Sequence, residues 1–246
     1  MTIAQEATAY VPGFDYYHDN IQLLKAALAE IIRRTADLDR IRLLSLGIGH
    51  RYTIQGLLRE LGERLEKYVI VEGSAEIISL LRAELELPAT VELIESYFEE
   101  YDTDARFDVI EMGFVLEHVD DPAALLRQFR RFLAPGGCLF ISVPNAFSLH
   151  RQIGFRAGLM QDLHSLSPAD LQLGHRRYFD PGQLQALVEE CGLTITGRAG
   201  LMLKPFTSSQ LASLRLSPEI WDALNAIAVD WPDLSNGILV EARECA

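Results

Sequence analysis

The chain has 246 residues, 49% apolar and 23% charged, a balance that fills a core and excludes a disordered polymer. Its net charge is −13, with 22 Lys+Arg against 35 Asp+Glu; phosphate contact draws on a cationic surplus, so no nucleic-acid partner is expected. Three cysteines, Cys138, Cys191 and Cys245, lack any CxxC spacing and read as reduced thiols packed as small hydrophobes, not as a disulfide framework or zinc site. The first ten residues lack the pattern of a secretory leader, and no apolar run is long enough to span a bilayer. A cytoplasmic location with no membrane partner is expected.

Apolar strand runs alternate with amphipathic helical segments along most of the chain. Apolar residues at helical spacing predict a helix over Ile21–Thr35. The first strand follows over Ile41–Leu46 and ends in Gly47-Ile48-Gly49-His50, two glycines that let backbone approach a ligand closely. A helix within Thr53–Leu65 leads to a second strand, Tyr68–Glu72, whose terminal carboxylate is placed to accept ribose hydroxyls. The next helix begins at the cap residue Ser74 and is ended by Pro88. Strands over Val91–Ile94 and Phe107–Met112 follow, then a helix over Ala123–Leu133 capped by Asp120/Asp121-Pro122. Ala134-Pro135-Gly136-Gly137 reads as a turn before a fifth strand, Cys138–Val143.

After Val143 the rhythm breaks. Pro144–Tyr178 is too long for a plain connection, and excursions at the carboxyl ends of strands are usually functional. Alternation then returns with a helix over Pro181–Cys191 stopped by Gly192, a strand over Leu193–Ala199, and a last strand near Gly237–Ala242. Lys204–Asn236 forms a second excursion containing an amphipathic helix over Pro218–Val229. Strands separated by helices predict parallel pairing, an α/β fold with a doubly wound sheet. One domain over 1–246 is expected: an N-terminal lid and helix over 1–40, a cofactor-binding core over 41–145, a substrate-covering insertion over 146–180, and C-terminal strands and helices over 181–246.

Four segments in order resemble the class I S-adenosylmethionine-dependent methyltransferases that act mainly on small molecules. Leu44-Ser45-Leu46-Gly47-Ile48-Gly49 is similar to their glycine-rich first motif, and Val71-Glu72-Gly73-Ser74 to their acidic second-strand end. Phe107-Asp108-Val109-Ile110 through Val115-Leu116-Glu117-His118-Val119 is similar to the fourth-strand motif. Phe132 through Gly137, with Leu139-Phe140-Ile141-Ser142-Val143-Pro144-Asn145, is similar to the fifth-strand signature. The stretch from Gly174 to Phe179 also looks like one subgroup. The resemblance implies a Rossmann-like, seven-stranded, mostly parallel sheet with an antiparallel final strand and a helical lid inserted after the fifth strand. It implies S-adenosyl-L-methionine as cofactor and methyl transfer to an oxygen or nitrogen of a small metabolite. A protein or RNA methyltransferase and a non-catalytic cofactor-binding protein on the same fold remain alternatives. A nicotinamide oxidoreductase fails on glycine spacing, since Tyr52 stands where its third glycine is needed. Two departures bear on cofactor affinity: Ser45 stands where the family usually carries an acid, and Arg51 where a glycine is common.

On this reading Gly47, Gly49 and His50 form the cofactor loop, Glu72 holds the ribose, and Gly73 and Ser74 line the same pocket. Ser96, Tyr97 and Phe98 follow the third strand, where the adenine lies. Met112, Gly113 and Phe114 leave the fourth strand toward the cofactor's methionine portion. Glu111 is costly in a central strand unless paired, and serves either the cofactor's ammonium, a cationic substrate group or a structural partner. His118 is the candidate general base, against a structural role closing its turn. Asn145, His150, Arg151, His175 and Arg177 in the excursion are candidate substrate contacts, as are Tyr16 and Tyr17 in the N-terminal aromatic cluster. The histidines lack the close spacing of a metal site, so no metal is expected. A homodimer is compatible with the sequence.

Overall fold

Period-two alternation along the strands decides the two layers of the core. In the computed structural model, which describes residues 17–245, the elements run in the order α1 Tyr17–Arg34, β1 Ile41–Leu46, α2 Arg51–Leu61, β2 Leu65–Glu72, α3 Ala75–Glu84, β3 Val91–Glu95, β4 Phe107–Gly113 and α4 Pro122–Arg130. They continue as β5 Leu133–Pro144, α5 Leu149–Arg156, α6 Pro168–Gln172, α7 Pro181–Glu190, β6 Leu193–Leu201, α8 Ser208–Leu214, α9 Pro218–Asp230 and β7 Gly237–Glu244. Leu44, Leu46, Val69, Val71, Ile110, Met112, Leu139 and Ile141 face one side, where Leu126 and Phe129 of α4 and Leu184 and Val188 of α7 cover them. Leu43, Tyr68, Ile70, Val109 and Phe140 face the other, against Leu23 and Ile31 of α1, Ile54 and Leu57 of α2, and Trp221 of α9.

The sheet order is β3-β2-β1-β4-β5-β7-β6, with β1 to β5 parallel and β7 antiparallel to both its neighbours. The expected Rossmann-like architecture and its reversed last strand are therefore present. Winding reverses between β1 and β4, and ligands of open α/β sheets bind outside the carboxyl ends of the strands at such a switch point. Leu46 and Gly113 end β1 and β4 there, and α5 and α6 follow β5 at the same edge. No helix among the described residues is long and apolar enough to cross a membrane.

Boundaries differ from expectation in physically legible ways. The first helix starts at Tyr17, four residues early. The second stops at Leu61, because Gly62 turns the backbone with φ +52° and a single 3-10 turn delivers the chain into β2 at Leu65. The third ends at Glu84, short of Pro88, with Leu85 already extended. The fourth ends at Arg130, and Leu133 already pairs with Phe107. The Ala134–Gly137 turn thus becomes an irregularity inside β5, where the register slips between Phe107 and Val109. α8 was not anticipated; Thr207 and Gln210 form its capping box.

Candidate active site

The glycine loop is held from two sides. Gly47 N donates to Val71 O at 2.8 Å, and Ile48 N donates to the Glu72 carboxylate at 3.0 Å. Gly47 (φ +82°) and Gly49 (φ +52°) take left-handed conformations that disfavour a Cβ, and a Cβ on Gly47 would project to within 3.6 Å of the Phe98 ring. His50 caps α2, its Nδ1 accepting from Tyr52 N at 3.1 Å. The second Glu72 oxygen accepts from Ser74 N at 2.9 Å, while the Ser74 hydroxyl caps α3. A carboxylate offers about four lone-pair positions, so Glu72 retains acceptor capacity toward the cavity it lines.

Ser45, where an acid was expected, is fully buried, shares a 3.0 Å hydrogen bond with Tyr68 Oη and lies directly opposite Glu111 on β4. Burial pushes the Glu111 carboxyl up to about 7, while hydrogen bonds from Ser45 and the Gly113 backbone pull it partly back. A carboxyl therefore stands opposite Ser45, one strand over. Gly113 is required beside it, because a Cβ there would lie 2.3 Å from Glu111 Oε1. Phe114 holds φ at +57°, an uncommon conformation for a bulky residue, and is fixed by its N–H to Ser142 O at 2.8 Å.

A cavity of about 820 Å³ opens at the switch point. Gly47, Gly49, His50, Glu72, Gly73, Tyr97, Phe98, Gly113 and Phe114 line one end. Tyr17 stands at that same end, its ring 6.4 Å from the His50 ring, and His118, His150, Arg151 and His175 border the cavity further on, beside α5 and α6. Arg51, the bulky replacement for a glycine, stands at the cavity wall and pairs with Glu84 at 2.9 Å.

Several expected site residues are placed elsewhere. Met112 is wholly buried in the core beneath α4. Ser74 serves as a cap, and the Ser96 hydroxyl turns back to Tyr97 O at 2.9 Å. Asn145 is wholly buried and structural, its amide donating to Asp233 O and Ser235 O while Phe147 N donates to its Oδ1. Arg177 donates to the carbonyls of Leu116, Val119 and Asp120 and so closes the turn after β4. Glu111 sits beside Gly113 without lining the cavity wall. Arg151 does line it, yet its guanidinium is engaged by Leu163 O and Ser165 O and lies 4.1 Å over the Tyr178 ring, an arrangement that pins the insertion. Tyr16 lies outside the described residues.

Beyond the loop the cavity wall carries Glu117 and Asp170, to which no role was assigned from the sequence, beside the expected His118 and His175. Glu117, 1% exposed, presents two carboxylate oxygens with no hydrogen-bond partner among the described residues, and burial pushes its carboxyl up to about 7. Burial and the neighbouring His175 push His118 down to about 3, which makes its imidazole a weak base at neutral pH. Burial opposes the charge on Asp170, yet hydrogen bonds from His175 and Ser167 hold its carboxyl well below the usual range. On the α1 side Asp19 and Lys204, both buried, form an ion pair at 2.6 Å. Glu117 stood beside His118 in a quoted motif. The Asp19–Lys204 pair spans most of the chain and has no local signal.

The sequence matches a family model described as a methyltransferase domain over residues 16–197. A ubiquinone biosynthesis O-methyltransferase of Pseudoalteromonas translucida is 33% identical over 129 residues, 50% of this chain and 52% of that protein, so the chain spans about half that relative's length. Its namesake in Xanthomonas oryzae pv. oryzae is 25% identical over 205 residues, 79% and 80% of the two chains. Among solved structures, the N-methyltransferase NodS of Bradyrhizobium japonicum, in complex with S-adenosyl-L-homocysteine, superposes with a TM-score of 0.55. That match covers 94% of this chain and 88% of NodS at 12% identity, a likeness of fold.

Proposed function

The chain belongs to the class I S-adenosylmethionine-dependent methyltransferases, and on that premise we propose that it methylates a hydroxyl oxygen of a small molecule bound beneath α5 and α6. The observation that carries this reading is the continuity of one cavity, from the Gly47–Glu72 corner to a far wall bearing Glu117, His118 and His175. Its size, about 820 Å³, falls in the range of sites that enclose a whole small ligand.

Glu72 and the glycine loop would hold the adenosyl group, with Phe98 against the adenine. The cofactor supplies an electrophilic carbon whose sulfonium leaves as a neutral thioether. The protein's work is to align the acceptor with the breaking C–S bond and to exclude water. A hydroxyl must also shed its proton, unlike an amine that arrives deprotonated. The titratable groups on the far wall suit an oxygen acceptor, as do the names of the O-methyltransferase relatives. The acidic net charge weighs against RNA as acceptor.

The test incubates the protein with methyl-labelled S-adenosylmethionine and a panel of phenols, aliphatic alcohols, amines and bulk RNA, and follows label by mass spectrometry. Methyl ethers are expected. Transfer confined to amines or RNA overturns the acceptor assignment, and no heat of cofactor binding at millimolar concentration overturns the whole reading.

A further inference from the structure

Glu117 and His118 lie on the turn after β4, and His175 arrives from the far end of the insertion, just beyond α6. Two main-chain hydrogen bonds bring them together: Arg176 N donates to Glu117 O at 2.9 Å, and His175 N to Asp170 O at 2.9 Å. One ligand atom from each of the three lies within 4.8 Å of the other two, and the imidazole rings meet edge to face at 4.8 Å. All three border the cavity.

A buried carboxylate without hydrogen-bond donors is expensive, by several kcal/mol for an isolated ion. Glu117 is in that condition, both oxygens lacking a partner among the described residues although the residue is 1% exposed. His175 has a carboxylate behind it. Its Nδ1 stands 3.5 Å from Asp170 Oδ1, and His118 Nε2 stands 4.0 Å from Glu117 Oε1. Asp170 is itself fixed by Ser167 Oγ at 2.7 Å and Tyr178 Oη at 3.0 Å. An imidazole backed by a carboxylate, beside a second imidazole and a carboxylate without donors, is the pattern of a ligand set with an outer partner.

We propose that Glu117, His118 and His175 bind a divalent first-row transition cation on the acceptor wall of the cavity. Two imidazoles and one carboxylate favour Mn²⁺, Fe²⁺ or Zn²⁺ over Mg²⁺ or Ca²⁺, which prefer all-oxygen shells. Bonds of about 2.0–2.2 Å place neighbouring ligand atoms roughly 3 Å apart, so the side chains close by about an ångström on binding. Three protein ligands leave coordination positions open toward the cavity. Resting on the acceptor reading above, those positions take the acceptor's hydroxyl oxygen. A cation held there would acidify that hydroxyl, whose proton would pass to water; the oxygen would then take the methyl group as the C–S bond breaks and the thioether leaves. The acceptor class is then a molecule that chelates through oxygen, with a second oxygen near the reacting hydroxyl.

The experiment titrates MnCl₂ into chelator-treated full-length protein and reads free Mn²⁺ by electron paramagnetic resonance, with calorimetry of S-adenosylmethionine on the same preparations. One site per chain, displaced by Zn²⁺, is expected. Glu117→Gln and His175→Ala should each weaken Mn²⁺ at least tenfold, with cofactor affinity retained. Glu190→Gln, an exposed partner of Arg127, should leave Mn²⁺ binding unchanged. No Mn²⁺ binding by the wild-type chain at millimolar concentration, or equal binding by both site variants, overturns the metal site. Because cofactor binding is read separately, that failure is distinct from failure of the methyltransferase reading.

Discussion

Glu72 accepts the Ile48 backbone N–H at 3.0 Å, so the tip of β2 holds the glycine loop at the end of β1. The same carboxylate that would receive the ribose hydroxyls therefore also shapes the loop beside them. Glu72→Ala removes both functions. A loss of about 1–3 kcal/mol in S-adenosylmethionine affinity is expected by calorimetry, the scale of hydrogen bonds to a charged group. Unchanged affinity would take Glu72 out of the site.

Glu111 couples stability to pH. The ordinary carboxyl value of 4.5 applies to the unfolded chain, while burial raises the folded value to about 7. Between these the unfolded chain releases the proton and the folded chain keeps it. Stability contributed by this residue therefore falls as pH rises from about 4.5 to about 7, then levels off, with a total of up to about 3 kcal/mol. Glu111→Gln, which keeps the shape and never ionises, should be more stable than wild type at pH 8 and nearly equal at pH 4.5. Urea unfolding at both pH values measures this, and a wild-type-to-variant difference that does not change with pH would show that Glu111 is already ionised in the folded state.

The sheet was legible because strand runs such as Ile41–Leu46 are largely apolar, and because Gly47, Glu72 and Gly113 sit at or just past strand ends. The loop glycines, whose expected place depends on neighbours in sequence, line the cavity. Asn145 and Arg177 were misread because a polar side chain near the carboxyl edge looks alike whether it faces a ligand or satisfies buried carbonyls. Asn145 satisfies carbonyls of the 232–235 turn, far along the chain. Met112 was misread by one step of alternation, since it shares the face of Ile110 and packs inward. Glu117 and His175 were separated by the whole α5–α6 excursion, and only the fold makes them neighbours.

Gly200 marks where α9 presses on β6. A Cβ there would stand 2.0 Å from Ala228 O and 2.3 Å from Ser235 Oγ, and a backbone carbonyl cannot swing away. Gly200→Ala should destabilise the protein by about 1–3 kcal/mol or more through overpacking. Thermal unfolding reads the loss, and cofactor affinity measured well below the transition should stay near wild type, because Gly200 is remote from the glycine loop. A midpoint equal to wild type would mean that α9 lifts freely from the sheet.

Asp19 and Lys204 tie α1 to the segment after β6 at the cavity wall, with Ser208 Oγ bonded to both. Side chains only 6% and 5% exposed make this a desolvated pair, so its net worth is set by what remains when one partner is removed. Asp19→Leu leaves a buried ammonium and should cost about 3–5 kcal/mol in urea unfolding. Adding Lys204→Met removes the ammonium that has lost its carboxylate, and the double variant should recover most of that loss. The two changes are then strongly non-additive, with a coupling on the order of 1–3 kcal/mol. Additive effects would mean that solvent reaches the pair and that α1 stands off the cavity wall.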